Sequence, residues 1–241
     1  MAGGGYAGQR QADPRIEAHI QRALGSARTV LNVGAGTGSY EPPDRWVLAV
    51  EPSALMRSQR PPAAAPAIQG RAERLPLDDA SVDAAMAVAT VHHWEPPAAG
   101  LRELRRVARG PVVVLTFDLE ALPAWQRDYL RECVAVDAPL MPSIEEIAGA
   151  LGGRVRVEHV PVPRDCTDGF IEAFYARPEA LLDPVARASQ SAWRRLAPGV
   201  EGQIADRLAA DLADGTWDSA HGALRSLPEH DGALRLVVSD P

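Results

Sequence analysis

The sequence predicts a doubly wound α/β fold, in which helices cover both faces of a mostly parallel β-sheet. Short apolar segments alternate with amphipathic helical patterns through residue 117, which is typical of parallel strands joined by helices. The segment 82–89 is apolar almost without interruption, as expected for a strand covered on both sides. About 70 residues before the final strand have helical patterns, which predicts an inserted helical cap.

Local signals predict the individual elements. Asp13 and Pro14 form a helix start, a capping side chain followed by proline, and this helix continues through Leu24. Further helices are predicted at 53–60, 101–108 and 143–151. The predicted strands are Thr29–Val33, Trp46–Val50, 67–70, 82–89, 111–117, 155–160 and 234–238.

The helical cap divides the chain into two predicted parts. Residues 1–160 and 232–241 form the core, and residues 161–231 form an insert that contributes to a substrate pocket, with helices expected at 168–176, 184–196 and 200–212. Aromatic side chains at helical spacing are more often core residues than pocket residues, and both roles stay open here. The aromatic candidates are Trp125, Tyr129, Phe170, Phe174, Tyr175, Trp193 and Trp217.

Composition excludes several functional classes. The net charge of −7 and the scattered basic residues argue against a nucleic-acid partner, which requires a clustered basic surface. The chain contains no lysine, which excludes Schiff-base enzymes, pyridoxal-phosphate enzymes and P-loop nucleotidases. Cys133 and Cys166 lack metal-ligand spacing, so we expect neither a disulfide nor a metal site.

We expect a cytoplasmic protein without a membrane partner. The first ten residues lack the apolar core of a signal peptide. No apolar run approaches the roughly 18 residues that a transmembrane helix needs. The oligomeric state is left open.

The segment Val30-Leu-Asn-Val-Gly-Ala-Gly-Thr-Gly38 carries the strongest functional signal. Its three glycines let the backbone turn sharply after a strand and lie against a flat ligand, because no Cβ intervenes. Glu51 ends the next predicted strand, thirteen residues after Gly38. A carboxylate there can accept hydrogen bonds from both ribose hydroxyls of an adenosine-containing ligand. Glycine loop, acid and element order together predict an adenosine site.

The glycine spacing favours a ligand without phosphates. Nicotinamide cofactors are typically bound by a G-x-G-x-x-G loop with the pyrophosphate at a helix N-terminus. Here the third glycine comes one residue early, at Gly38, and Ser39 takes the expected place. The following Tyr40-Glu-Pro-Pro-Asp44 is not a good helix start. An NAD-dependent oxidoreductase is therefore the less favoured alternative.

These motifs resemble those of the Rossmann-like class I S-adenosylmethionine-dependent methyltransferases, especially the UbiE-like small-molecule group. The resemblance covers about residues 6–117. Besides the glycine loop, its motifs are Ala49-Val-Glu-Pro-Ser53, the segment 70–83, His92-His-Trp94 and the helical segment 101–107. Asn32 and Arg71 stand where the family usually has acids.

The resemblance implies S-adenosylmethionine as the cofactor and gives each matching position a role. The implied contacts are Gly34, Ala35 and Gly36 along the methionine part, Glu51 at the ribose, Ala72 and Glu73 at the adenine, Ala89 and Thr90 at the sulfonium, and Tyr6 and Arg10 over the carboxylate, with Gly38 and Pro52 as further cofactor-binding residues. The alternatives are that Glu51 only caps the following helix and that Glu73 is a solvated loop carboxylate.

His92 and His93 are the candidate catalytic residues, and His93 is favoured. They follow the fourth strand, at the sheet edge where such folds bind ligands. Methyl transfer from a sulfonium mainly requires alignment, and a base is needed only if the acceptor must lose a proton. In the alternative interpretation one histidine hydrogen-bonds within the loop and the other packs beside Trp94. Tyr40 is a further candidate for aligning the acceptor.

The sequence therefore predicts an enzyme that transfers a methyl group from S-adenosylmethionine to a small, partly hydrophobic organic acceptor by in-line displacement. O-, N- and C-methylation stay open. The alternative function is a fold that binds the same cofactor but catalyses a cyclisation or rearrangement. Absence of S-adenosylhomocysteine formation despite cofactor binding would favour that alternative.

Overall fold

A computed structural model describes residues 10–241, in which the chain forms two compact units. The first, here called the sheet unit, consists of Pro14–Asp118, Met141–Val160 and Leu234–Pro241. The second, here called the helical unit, consists of residues 10–13, Leu119–Leu140 and Pro161–Ala233. The helical unit thus takes up the predicted insert together with a segment that precedes it in the chain.

The sheet unit contains a seven-stranded sheet, and its order confirms the predicted fold class. The strands are β1 (Thr29–Val33), β2 (Trp46–Val50), β3 (Ala67–Ile68), β4 (Ala84–Val88), β5 (Val112–Phe117), β6 (Arg154–His159) and β9 (Leu234–Asp240). They lie in the order β3-β2-β1-β4-β5-β9-β6. The first five pair in parallel, whereas β9 runs antiparallel between β5 and β6.

Burial explains why the central strands show no alternation of polar and apolar residues. In β1, every residue after Thr29 is buried, and the first four residues of β4 and the first five of β5 are buried as well. Strands covered on both faces by helices need apolar side chains on both faces. At the edge of the sheet, by contrast, β6 contains no fully buried residue.

Four helices accompany this sheet. Helix α1 (Pro14–Leu24) buries Ile16, Ile20 and Leu24, as its fourfold spacing predicted. The shorter α2 is Ala54–Ser58, capped by the side chain of Ser53, and α6 is Ile144–Leu151, which begins with a capping box. Helix α3 (Pro97–Val107) begins four residues before the predicted start, because Pro97 occupies its first turn.

Asp83 joins the amino ends of β1 and β4. Its carboxylate accepts the backbone N–H groups of Arg28 and Thr29, at 3.0 and 2.9 Å, and pairs with Arg109. The hydrogen bond from Arg109, supported by the two amides, holds the pKa of the Asp83 carboxyl well below its usual range. This edge of the sheet is therefore fixed by side-chain bonds, opposite the edge that carries the glycine loop.

The helical unit contains α4 (Ala124–Tyr129), α5 (Arg131–Asp137), α7 (Pro184–Ala188), α8 (Val200–Ala213), α9 (Thr216–His221) and the paired short strands β7 (Val162–Pro163) and β8 (Glu229–His230). All seven candidate aromatic side chains lie in this unit and are at most 6% exposed. They are core residues, which was the favoured interpretation of their spacing. Among residues 10–241, no helix combines the length and apolarity that a bilayer crossing requires.

Two predicted helices of the insert are wrong. In place of a helix at 168–176, the chain has only a 3₁₀ turn at Ile171–Phe174. In place of a helix at 184–196, α7 ends at Ala188 and a separate 3₁₀ turn covers Trp193–Arg195. Ser189 and Gln190 are buried, and their side chains donate to backbone carbonyls, which competes with continuation of the helix. The helix predicted at 200–212 is confirmed as α8.

Candidate active site

The glycine bend (residues 34–38) follows β1 in backbone conformations that glycine adopts readily. Gly34 has a φ of 68° and Gly36 a φ of 51°. The first two amides of the bend both donate to the carbonyl of Val50, at 2.9 and 3.1 Å, which ties the bend to the end of β2. A Cβ on Gly34 would overlap Oγ1 of Thr90, the residue that follows β4 by two positions. The bend is therefore packed closely at its first glycine.

Glu51 lies directly beside this bend. Its side chain is buried, and its Oε2 accepts the N–H of Gly36 at 2.9 Å, while Oε1 accepts the N–H of Ser53 at 2.8 Å. A Cβ on Gly36 would meet no described atom closer than Cε of Met56, at 3.5 Å. The carboxylate thus contacts the bend at a glycine beside which a methyl-sized group fits at an ordinary contact distance.

Ala72 and Glu73 contact the segment that follows β4. Ala72 is buried, and a Cβ added to Gly100 would lie 2.9 Å from the Cβ of Ala72. The Oε1 atom of Glu73 accepts the N–H of Glu95 at 2.7 Å. Glu73 is therefore a half-buried carboxylate in a turn, with a hydrogen bond to the backbone.

The residues after β4 form a tight turn at the same sheet edge. Ala89 has a positive φ of 48°, which is uncommon for a residue with a side chain. Thr90 is buried, and His92 and His93 belong to a 3₁₀ turn, Val91–His93. The two imidazole rings lie 4.0 Å apart at an angle of 56°; His92 is half-buried and His93 is exposed.

The predicted pair at the N-terminus is described only in part. Tyr6 lies outside the described residues. Arg10 lies in the helical unit, where its Nε donates to Oδ1 of Asp168 at 2.6 Å and its Nη2 to Oδ2 at 3.4 Å. Asp168 is buried and does not begin a helix, contrary to the expectation from sequence.

A buried network that the sequence did not reveal supports the bend. Arg60 and Glu41 form an ion pair at 2.7 Å, with side chains 6% and 7% exposed. Asn32, which stands in the acidic position of the family motif, donates its Nδ2 to Oε1 of Glu41 at 3.0 Å. Arg60 also donates from Nη1 to the carbonyl of Gly36 at 3.1 Å.

Comparisons with known proteins assign the family. The family model of the methyltransferase domain matches residues 31–115, which include the bend, Glu51 and both histidines. A crystal structure from Anabaena variabilis, described as a candidate methyltransferase from an antibiotic biosynthesis pathway, is 30% identical, with a TM-score of 0.89. The match covers 97% of this chain and 99% of that one. The chain belongs to the class I S-adenosylmethionine-dependent methyltransferases.

Two curated relatives of this methyltransferase match over part of their length. An uncharacterized methyltransferase of Mycobacterium bovis is 33% identical over 178 residues, which are 68% of this chain and 65% of the relative. The malonyl-[acyl-carrier protein] O-methyltransferase of Erwinia pyrifoliae is 33% identical over 160 residues, which are 59% of this chain and 58% of the relative. In both cases the match spans less than two thirds of the relative.

S-adenosylmethionine is the methyl donor of this family, and the bend of the methyltransferase fits it in two respects. Residues 39–45 form turns and no helix, so the bend lacks the helix start that a pyrophosphate requires. Each oxygen of Glu51 accepts one backbone N–H, whereas a carboxylate offers about four acceptor sites, so both oxygens keep capacity for ribose hydroxyls.

No sequence signal identified the roles of Arg60 and Glu41. They lie 19 positions apart, in two loops without a recognisable motif. The only hint was Asn32, a neutral residue at an otherwise acidic position, which predicts that another group satisfies its amide. Long-range side-chain pairs of this kind follow from the folded backbone and not from local spacing.

Proposed function

We propose that this methyltransferase acts on a small, partly hydrophobic organic acceptor by in-line displacement. The observation that carries the proposal is the buried Glu51 carboxylate bonded to Gly36, with space left beside that glycine. This arrangement suits a phosphate-free adenosine ligand held through its sugar. When bound, S-adenosylmethionine supplies a methyl group activated by a sulfonium. The protein's contribution is alignment, which can lower a barrier by about 7–11 kcal/mol in favourable cases.

The proposed cofactor contacts follow the sheet edge. In the sheet unit they are Gly34, Ala35, Gly36, Gly38, Glu51, Pro52, Ala72, Glu73, Ala89 and Thr90. Contacts among these residues support the assignment, since Glu51 bonds to the bend and Gly34 lies against Thr90. Arg10 already pairs with Asp168 within the helical unit, so its assignment to the cofactor carboxylate has less support. Tyr6 keeps its proposed role without a structural test.

His93 is the proposed acceptor-side base, and His92 is the second candidate. His93 is exposed and ends the 3₁₀ turn Val91–His93, which follows Thr90 at the carboxyl end of β4. A positioned base contributes typically ~10²–10⁴-fold when the acceptor must lose a proton. A carboxylate acceptor is already ionised at neutral pH and needs no base.

That difference separates two classes of acceptor. The relative from Erwinia pyrifoliae is named for O-methylation of a malonyl group on acyl-carrier protein, which makes a carboxylate a specific candidate here. With a carboxylate acceptor, His93→Gln should change the rate less than about threefold, because no proton has to leave. With a hydroxyl or amine acceptor, the same variant should lose about 10²-fold or more.

The deciding experiment has two steps. Calorimetric titration should first show binding of S-adenosylmethionine and none of NAD. Incubation with methyl-labelled cofactor and a panel of hydroxyl, amine and carboxylate acceptors, including malonyl-charged carrier protein, should then release S-adenosylhomocysteine. Binding of NAD alone would overturn the proposal. Tight cofactor binding without release on any acceptor would favour a cyclisation or rearrangement.

A further inference from the structure

We propose that Arg60 is a positioning residue for cofactor binding, because its guanidinium holds the glycine bend in its binding conformation. The proposal rests on the proposed cofactor site at the bend and goes beyond it, since Arg60 lies outside all the motifs that identify that site. It acts on the cofactor through the backbone of Ala35 and Gly36. All groups involved belong to the sheet unit.

Glu51 and Arg60 hydrogen-bond to the N–H and the carbonyl, respectively, of the same residue, Gly36. The N–H of Gly36 donates to Oε2 of Glu51 at 2.9 Å. The carbonyl of the same residue accepts Nη1 of Arg60 at 3.1 Å, and the carbonyl of Ala35 accepts it at 3.4 Å. Rotation of the peptide units around Gly36 would break both contacts at once. The orientation of the Glu51 carboxylate is thus coupled to Arg60.

The chain needs such a contact because its bend is not continued by a helix. In the fully described stretch 39–45 the backbone forms turns and irregular structure but no helix. A helix after the bend would fix its carbonyls through the regular backbone ladder. Among the described residues, the N–H of Gly38 donates to the carbonyl of Ala35 at 2.9 Å, and the N–H of Glu41 donates to the carbonyl of Gly38 at 3.4 Å. The carbonyl of Gly36 is fixed by a side chain instead.

The ion pair aims the guanidinium. Nη2 of Arg60 donates to both carboxylate oxygens of Glu41 at 2.7 Å, and Nε and Nη2 donate to the carbonyl of Ala65 at 3.0 and 2.7 Å. Glu41 is held in turn by Asn32. A buried ion pair is often no more stable than apolar side chains in its place. Here the ion pair orients the guanidinium. With its bonds to Glu41 and Ala65 in place, Nη1 of Arg60 points at the bend.

Arginine is required for this geometry. Its planar fork reaches the carboxylate of Glu41 and the bend carbonyls in two directions at once. A lysine at position 60 could keep the ion pair through one ammonium, but could not span both sets of acceptors. Arg60→Lys therefore separates charge from positioning.

The test is titration of wild type and Arg60→Lys with S-adenosylmethionine and with S-adenosylhomocysteine. We expect the Kd for both to rise about 10- to 100-fold in Arg60→Lys, the size of effect seen when a supporting group shifts a site. The matched control is Arg105→Lys. Arg105 also donates to backbone carbonyls, those of Ala108, Gly110 and Ser239, at the opposite edge of the sheet. Its variant should bind both ligands as wild type does.

A second variant guards against a general folding defect. The double substitution Glu41→Leu with Arg60→Met removes both charges together, so no charge is left buried alone. We expect it to fold, with a far-UV spectrum like that of wild type, and to bind at least about tenfold more weakly. A wild-type Kd in Arg60→Lys or in the double variant overturns the positioning role. So does an equal weakening in Arg105→Lys. If wild type itself binds neither ligand, the proposed cofactor site is wrong, and the role of Arg60 is overturned together with it.

Discussion

Glu51 in the sheet unit and Glu172 in the helical unit are both buried, at 6% and 1% exposure, and both accept backbone N–H groups. Glu51 accepts two separate amides, one on each oxygen, from Gly36 and Ser53. Both oxygens of Glu172 share the single N–H of Ala233, at 3.1 and 3.0 Å. Burial and the acceptance of a backbone N–H therefore do not by themselves distinguish these two carboxylates.

The space around the carboxylates of Glu51 and Glu172 distinguishes the two residues. A Cβ on Gly36, next to Glu51, would be 3.5 Å from the nearest described atom. A Cβ on Gly232 would overlap Oε1 of Glu172, and Nδ1 of His230 lies 3.5 Å from the same oxygen. The comparison teaches that a buried acid becomes a candidate ligand site where the adjacent backbone leaves room. Where the neighbours fill that room, the acid is part of the core.

The largest expected effect on the free energy of unfolding comes from adding a Cβ to the glycine beside each of the two carboxylates. Gly232→Ala should lower the free energy of unfolding by about 3 kcal/mol, because the new Cβ displaces the Glu172 carboxylate. Gly36→Ala should cost only about 1 kcal/mol, the strain of its positive φ. Denaturant titration measures both.

Binding should give the reverse order for these two variants. Gly36→Ala is expected to weaken S-adenosylmethionine binding, whereas folded Gly232→Ala should bind with the wild-type Kd. If Gly36→Ala bound the cofactor normally, the space beside Glu51 would not be the cofactor site.

Removal of the Glu51 carboxylate has the next largest expected effect. Glu51→Ala should weaken S-adenosylmethionine binding by about 1–3 kcal/mol, since the ribose hydroxyls would lose a charged acceptor. The matched control is Glu103→Ala, because Glu103 also accepts a backbone N–H in the sheet unit, that of Leu75 at 2.8 Å. Calorimetry should show a changed Kd for the first variant only. An unchanged Kd for Glu51→Ala would mean that the sugar lies elsewhere.

Alkaline pH should give the smallest effect, a loss of stability that arises from groups in the helical unit. Burial raises the pKa of Cys133 and Cys166, both in that unit, from 9.0 to about 12. The folded state thus keeps these protons between pH 9 and 12 while the unfolded state releases them, so stability falls as pH rises. From pH 7 to pH 9 the two thiols together should lower the free energy of unfolding by about 1 kcal/mol.

Urea unfolding followed by tryptophan fluorescence across this pH range measures the slope. The three buried tryptophans of the helical unit, Trp125, Trp193 and Trp217, report on it directly. In the double variant Cys133→Ala with Cys166→Ala the pH dependence should flatten. An equally steep dependence in that variant would assign it to other groups.

Where local signals are strong, sequence predicted the fold to the residue. Helix α1, bounded by Pro14 and Gly25, and strands β1 and β2 have the predicted ends. The prediction was wrong at 168–196, because Gln190 and Asp168 bond to groups 21 and 158 positions away. Such bonds form only after distant segments meet, and no periodicity reports them.

The same division between local sequence signals and long-range contacts applies to the candidate site. Glycine spacing and an acid at the end of the second strand predicted, from sequence alone, the fold, the family and the place where the cofactor is proposed to bind, because both signals lie in the short segment from β1 to the end of β2. Only the tertiary structure decided that Glu51 bonds to Gly36 and that Arg60 holds the other side of that residue. Those contacts join separate loops, and their partners are chosen by the packing of the whole sheet unit.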